Sequence, residues 1–167
     1  MKPPPWRRKA PETGRPAERA AVLLASPGTP FSQAAVRAAV QAAGGKPVRV
    51  LSIAKIYGTA LGLQHPGLLP SKREMAAQEA IITDAVKSIE RAGGTAKGEL
   101  VATRDPAKTF RRAAIRYSVR HVVLDPSDSS RLRRLLEGDP ASSLRRHLGP
   151  EVEVEVVEKA GQAPDAV

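Results

Sequence analysis

The sequence contains no cysteine, which excludes disulfides, thiolate metal sites and thiol nucleophiles and fits a reducing compartment. Aromatic residues are scarce. Trp6, Phe31, Tyr57, Phe110 and Tyr117 are scattered along the chain, so no stacking platform for nucleic-acid bases is legible. Long hydrophobic runs are missing as well. Stretches such as Ala20 to Ala25 and His121 to Leu124 have the length of a strand, far below the roughly 20 residues of a membrane-spanning helix. The first residues carry charge and proline without a following apolar segment, which does not read as a secretory leader. The expectation is a cytoplasmic protein without a membrane partner.

Signals for catalysis are equally sparse. There is no Gly-Lys-Ser/Thr phosphate loop and no Gly-x-Ser-x-Gly elbow. Gly58, Gly62 and Gly67 lie in a loop outside the strand–turn–helix context that gives a dinucleotide fingerprint its meaning. His65, His121 and His147 share no metal-ligand spacing and have no acidic partner pattern nearby. They read as surface or strand-end residues. No nucleophile stands beside a base, so the expectation is a protein that is not an enzyme and that holds no cofactor or metal.

What is abundant is positive charge. The 167 residues carry 27 Lys and Arg against 17 Asp and Glu, a formal net of +10. Residues 1–19 combine five prolines with a net charge of +4 and little to bury; they read as a disordered, basic, Pro-rich arm. Residues 160–167 read as a flexible tail. Residues 20–159, one domain's worth of chain, still carry +7. Such a field favours encounters with anionic partners. Arg112, Arg116 and Arg120 are spaced to form a basic stripe on one helix, if that helix runs so far. Arg131, Arg133, Arg134, Arg145 and Arg146 add a second basic region. Nucleic-acid or other anion binding is therefore one alternative reading, weakened by the lack of stacking aromatics and of a recognition-helix motif.

Between the tails, strand and helix signals alternate. The expected strands are Ala20–Ala25, Val48–Ile53, Glu99–Ala102, His121–Leu124 and Glu151–Val157. Thr29-Pro30, Ser71 with Glu74, Asp105-Pro106 and Asp139-Pro140 are the expected helix starts, the second being a capping box. Gly44-Gly45, Gly93-Gly94 and Gly149-Pro150 are the stops. Met75, Ile82, Ala85, Val86 and Ile89 share one helical face, and Phe110, Ala113, Ala114 and Tyr117 share another. A short helical turn is expected between strand four and the last helix. Ile56, Tyr57, Leu61, Leu63, Leu68 and Leu69 make the loop after strand two unusually apolar. The pattern predicts a single-domain α/β fold, an open parallel five-stranded sheet with helices on both faces. Strand five alternates Glu and Val strictly, as suits a sheet edge. Val152, Val154 and Val156 mark it as the candidate edge for a homodimer.

In such sheets ligands bind beyond the carboxyl ends of the strands, where strand order reverses. The element order, the long loop after strand two, and the segment His121 to His147 with its Leu132-Arg133-Arg134-Leu135-Leu136 run resemble the universal stress protein family, over roughly residues 20–158. The resemblance implies the universal stress protein fold, among the adenine-nucleotide alpha-hydrolase-like folds. It also implies a family with nucleotide-binding and non-binding forms. Its ATP-binding members carry Gly-x2-Gly-x9-Gly-(Ser/Thr) after strand four. The corresponding positions here are Asp125, Asp128, Gly138 and Asp139, so only Gly138 matches. Carboxylates at these positions would oppose a triphosphate by ~4 kcal/mol for each pair of charges at ~4 Å and an effective dielectric of ~20. Asp139 also precedes Pro140 as a natural N-cap, placing its carboxylate where a phosphate would sit. The acidic residue that the family often places at the end of strand one is Ser26 here. The candidate degenerate pocket is thus Ser26, Ile53, Asp105, Asp125, Asp128, Gly138 and Asp139. Gathered around one pocket, the aspartates could instead hold Mg²⁺ or Ca²⁺, but helix capping and turns account for them more simply. The function expected is a non-catalytic binding or regulatory module in stress response, homodimeric, with a possible protein client. The other alternative is an ATP, AMP or other small-ligand sensor using a modified pocket.

Overall fold

The computed structural model describes residues 20–55, 71–103, 105–125 and 140–157. The expected arm, the tail, the apolar loop after strand two and the short helical turn after strand four lie outside them, as do Arg131, Arg133 and Arg134. The described elements are β1 (Val22–Ser26), α1 (Gln33–Ala43), β2 (Val48–Lys55), α2 (Lys72–Arg91), β3 (Ala96–Thr103), α3 (Pro106–Tyr117), β4 (His121–Leu124), α4 (Pro140–Leu148) and β5 (Glu153–Val156). All strand pairs are parallel, in the order β3-β2-β1-β4-β5. The expected fold class is the one observed.

The alternation of side chains along the central strands divides the core into two layers. Val22 and Leu24 of β1 pack with Val36 and Ala39 of α1 and with Ile82 and Ile89 of α2. Leu23 and Ala25 face the other way, toward Phe110 and Ala114 of α3 and Leu144 of α4. β1 is buried throughout because it is covered on both faces. β5 is covered on one face only. Val154 is buried in the α3–α4 layer and Val152 and Val156 are partly buried against it, whereas the Glu153 side chain is 77% exposed.

Local chemistry sets the element ends, with some shifts from expectation. α1 begins after Ser32, not at Thr29-Pro30: the Ser32 hydroxyl accepts the Ala35 N–H at 3.1 Å, while the Thr29 N–H donates to Ser26 at 3.0 Å. α2 carries the full capping box, with the Glu74 N–H donating to Ser71 Oγ and the Ser71 N–H to Glu74 Oε2. On its expected stripe Ile82, Ala85 and Ile89 are buried, while Met75 and Val86 are half-buried. α3 stops at Tyr117, where Ser118 takes a left-handed conformation with φ 53°. The expected basic stripe is broken there, since Arg120 leaves the helix and leads into β4. β3 starts at Ala96, earlier than expected, because it pairs with β2 along its whole length, Val48 opposite Ala96 through Lys55 opposite Thr103. At Gly98 the reason for glycine is space: a Cβ there would lie 2.0 Å from Ile82 Cγ2.

Candidate functional site

The chain runs outward from β1 to β2 and β3, then crosses back to place β4 on the other side of β1. Strand order therefore reverses between β1 and β4, and in open α/β sheets ligands bind outside the carboxyl ends of the strands at such a point. Ser26 ends β1. Asp125 follows β4 directly, its N–H donating to the Ala25 carbonyl at 3.1 Å. Two of the expected pocket residues thus flank the switch point.

Both are buried, Ser26 fully and Asp125 to within 1%. The Ser26 hydroxyl closes a tight loop: it donates to the Thr29 carbonyl at 2.6 Å and accepts the Thr29 N–H. Gly28 supplies the positive φ, 86°, that this loop requires. Asp125 reaches across to α1, and its Oδ2 accepts the backbone N–H of Ser32, the N-cap. That placement sets a carboxylate at the positive end of the α1 dipole and satisfies an N–H that helix geometry leaves without an intrahelical partner. Burial of a charge at this point is tolerable for that reason.

A second contact braces the same rim. Gln78 of α2 donates through Nε2 to the Gly28 carbonyl at 2.9 Å and accepts from the buried Ser52 hydroxyl at 2.9 Å. It ties the loop after β1 to β2 through α2. Neither residue was among the candidates from sequence. The signal was present: Gln78 falls on the same helical stripe as Met75, Ile82, Ala85 and Ile89, and Ser52 is the polar residue inside an apolar strand.

The remaining candidates are dispersed. Asp105 is exposed and caps α3, its Oδ1 accepting the Lys108 N–H at 3.0 Å. It follows β3, which lies three strand spacings from β4, roughly 14 Å across the sheet. Asp105 has the capping role that its Asp-Pro step predicts. Ile53 is fully buried within the α3–α4 core layer. Asp128, Gly138 and Asp139 lie outside the described residues, although α4 begins with Pro140 as expected. Among the described residues, no group of three His, Asp or Glu is placed to hold a metal ion, and each buried polar side-chain atom has a hydrogen-bond partner.

At the other end of the sheet His121 opens β4, as expected of a strand-end residue, but it does have acidic partners. Its ring lies 3.3 Å from Glu153 and 3.0 Å from Glu155. The pairing of β4 with β5 sets His121 opposite Glu153, an acidic partnership that sequence distance conceals. The helical part of the basic stripe is also partly engaged. Arg116 lies 3.7 Å from Glu99 and over the Tyr117 ring, while Arg49 covers that ring at 4.0 Å. The Tyr117 hydroxyl donates to Glu99 Oε2. Burial, reinforced by Glu99, pushes the Tyr117 phenol upward.

No helix among the described residues is long and apolar enough to cross a membrane. No protein-family model matches the sequence, nor does any curated protein. Solved structures do match in shape. A universal stress protein from Archaeoglobus fulgidus aligns with TM-score 0.59 and 14% identity, over 84% of this chain and 95% of that one. The universal stress protein from Archaeoglobus fulgidus in complex with dAMP gives 0.56 and 16%, over 83% and 98%. A universal stress protein in complex with cAMP gives 0.55 and 17%, over 84% and 98%. Strand order, parallel pairing and helix placement agree with this likeness: the chain has the universal stress protein fold.

Proposed function

We propose that this chain is a non-catalytic binding or regulatory module of the universal stress protein type, acting in a stress response through protein contacts, with its nucleotide site disabled. One observation supports the reading above the others. Where strand order reverses, the anion-attracting N-terminus of α1 is occupied by the protein's own carboxylate, Asp125 on the Ser32 N–H. A phosphate entering that corner would displace a charge-assisted hydrogen bond and meet a buried negative charge. The Ser26 hydroxyl, on the facing strand, is already committed to Thr29.

A second reading is an adenine-nucleotide sensor with a modified pocket. It is favoured by the two similar structures whose complexes hold dAMP and cAMP. Equilibrium binding of ATP, ADP and AMP at near-physiological salt, with and without Mg²⁺, separates the two. The expected result is no saturable binding at millimolar nucleotide. Saturable micromolar binding overturns the first reading and establishes the second.

A further inference from the structure

The far end of the sheet, opposite the nucleotide-type rim, carries a cleft of about 560 Å³ between the C-terminal ends of α3 and α4. Its walls come from α3, the segment leading into β4, the last turn of α4 and the turn before β5. The floor is aliphatic, formed by Ala114, Val119, Leu148 and Val152. Ile115 stands at its margin with 65% of its surface exposed, the one exposed large apolar side chain among the described residues. The outer face of α3 is otherwise charged, with Arg111, Arg112 and Arg116 exposed, so the core does not explain an isoleucine there.

Charge surrounds this apolar floor. Arg111, Arg120, Arg146 and His147 line the cleft against one carboxylate, Glu151. Counting His147 as neutral, the lining is net +2. Among the described residues, no carboxylate forms an ion pair with Arg111, Arg120 or Arg146, whereas Glu99 engages Arg116 and Glu153 and Glu155 engage His121. Complementing a helix dipole accounts for Arg146, in the last turn of α4. It does not account for Arg111, inside α3, or for Arg120, outside any helix.

From this juxtaposition of aliphatic floor, exposed Ile115 and three arginines, we infer that the cleft is a docking site for an acidic peptide segment of a partner protein, one that carries large apolar anchors. Its volume falls within the few hundred to ~1,000 Å³ of sites that enclose small groups, enough for anchoring side chains and too small for a folded domain. The partner's acidic residues would face the arginine rim while its apolar residues cover Ile115 and the floor, as in helix-in-groove recognition. A nucleic-acid strand fits less well, because among the described residues no Phe, Tyr or Trp lines the cleft as a stacking platform and the aliphatic floor would remain wet. The site goes beyond the proposed regulatory role, and its lining includes neither Ser26 nor Asp125, so nucleotide binding does not decide it.

The test uses the full chain and a fluorescein-labelled helical peptide of about twelve residues, with glutamates on one side and leucines at every third or fourth position on the other. Controls are the same peptide with leucines replaced by alanine, and a labelled single-stranded oligonucleotide. Fluorescence anisotropy should show saturable micromolar binding of the acidic leucine peptide only. Ile115→Glu should weaken it by about tenfold or more, equivalent to ~1.4 kcal/mol. Arg111→Ala with Arg120→Ala should weaken it to a similar extent and flatten its salt dependence. These residues are exposed, and circular dichroism checks that the variants fold. Arg37→Ala on α1, distant from the cleft, should change nothing. Amide shifts in heteronuclear NMR should cluster on 111–120 and 146–152. No saturable binding at millimolar peptide, indifference to Ile115→Glu, equal binding of the oligonucleotide, or self-association that buries the cleft would each overturn the inference.

Discussion

Asp125 joins the fold to the proposed loss of nucleotide binding, and a pair of substitutions separates its two roles. Asp125→Ala removes the acceptor for the Ser32 N–H from a site only 1% exposed. Loss of a charge-assisted hydrogen bond, with its partner left unsatisfied, costs about 1.5–3 kcal/mol. In a domain of this size that lowers Tm by about 3–12 °C. Asp125→Asn keeps a carbonyl oxygen of nearly the same shape and loses only the charge, so the expected cost is about 0.5–1.5 kcal/mol. The same asparagine removes the repulsion on an incoming phosphate. At ~4 Å and an effective dielectric of ~20 that repulsion is ~4 kcal/mol before screening, so a gain in ATP affinity of about ten- to a hundredfold is expected. Urea unfolding and ATP titration on the same preparations read both effects. If Asp125→Ala unfolds like the parent, the Ser32 contact does not support the fold as argued. If Asp125→Asn stays folded and gains no affinity, this carboxylate is not what keeps nucleotide out.

Three other perturbations probe the frame that holds the rim. Gly98→Ala drives a methyl to 2.0 Å from Ile82 Cγ2, so about 1–3 kcal/mol should be lost to overpacking, and a cycle with Ile82→Ala should show strong coupling in chemical denaturation. Hydrogen bonds from the Ser71 backbone and side chain hold the Glu74 carboxyl below its usual range. A depressed acid contributes stability at neutral pH and loses it as pH falls through the lowered value. Ser71→Ala keeps the larger, backbone hydrogen bond and removes the side-chain one, so the Glu74 titration, followed by carboxyl NMR, should move only part of the way back toward the ordinary range. Tyr117, pushed upward by burial and by Glu99, should stay protonated beyond the usual tyrosine range in ultraviolet titration. Its contribution is present below the unfolded value and lost as pH rises through the raised one. Tyr117→Phe should cost about 1–3 kcal/mol by removing the hydrogen bond to Glu99.

Much of the architecture was legible because local signals agreed with the global arrangement. Ser71 with Glu74 and Asp105 with Pro106 name their helix starts through hydrogen-bond chemistry confined to a few residues. Phe110, Ala113, Ala114 and Tyr117 name a buried stripe through periodicity alone. Local reasoning failed where two signals competed within a few residues. Thr29-Pro30 is a plausible start, but Ser26 takes the Thr29 N–H, and Ser32 takes the cap with help from Asp125, far away in sequence. Of the site, Ser26 and Asp125 could be placed from the rule that ligands gather at strand ends. The contact of Asp125 with Ser32 could not, nor could the brace from Ser52 through Gln78 to Gly28, because these residues come together from elements whose spatial order only the sheet topology fixes. The same limit concealed the pairing of His121 with Glu153 and Glu155.

The edge formed by β5 offers the sharpest remaining prediction, because the structure changes what a dimer there would have to use. Val154 is buried and Val152 and Val156 pack against the same α3–α4 layer, so the valines expected to mark a dimer surface are already spent on the core. Association along this edge must come from the outward backbone groups of β5, with Glu153 and Glu155 brought near their counterparts by a two-fold axis. Like charges opposite one another across paired strands cost about 0.2–1 kcal/mol per pair. Replacing both carboxylates by Glu153→Gln with Glu155→Gln keeps side chains of similar size that can hydrogen-bond to His121 and removes two such pairs. An edge-to-edge dimer should then tighten by about two- to thirtyfold in sedimentation equilibrium. A dimer that weakens instead is held by the carboxylates and not by the strand backbone. A chain that stays monomeric in both forms at the highest concentrations does not use this edge, leaving the basic cleft at the ends of α3 and α4 as the better surface for contact with other proteins.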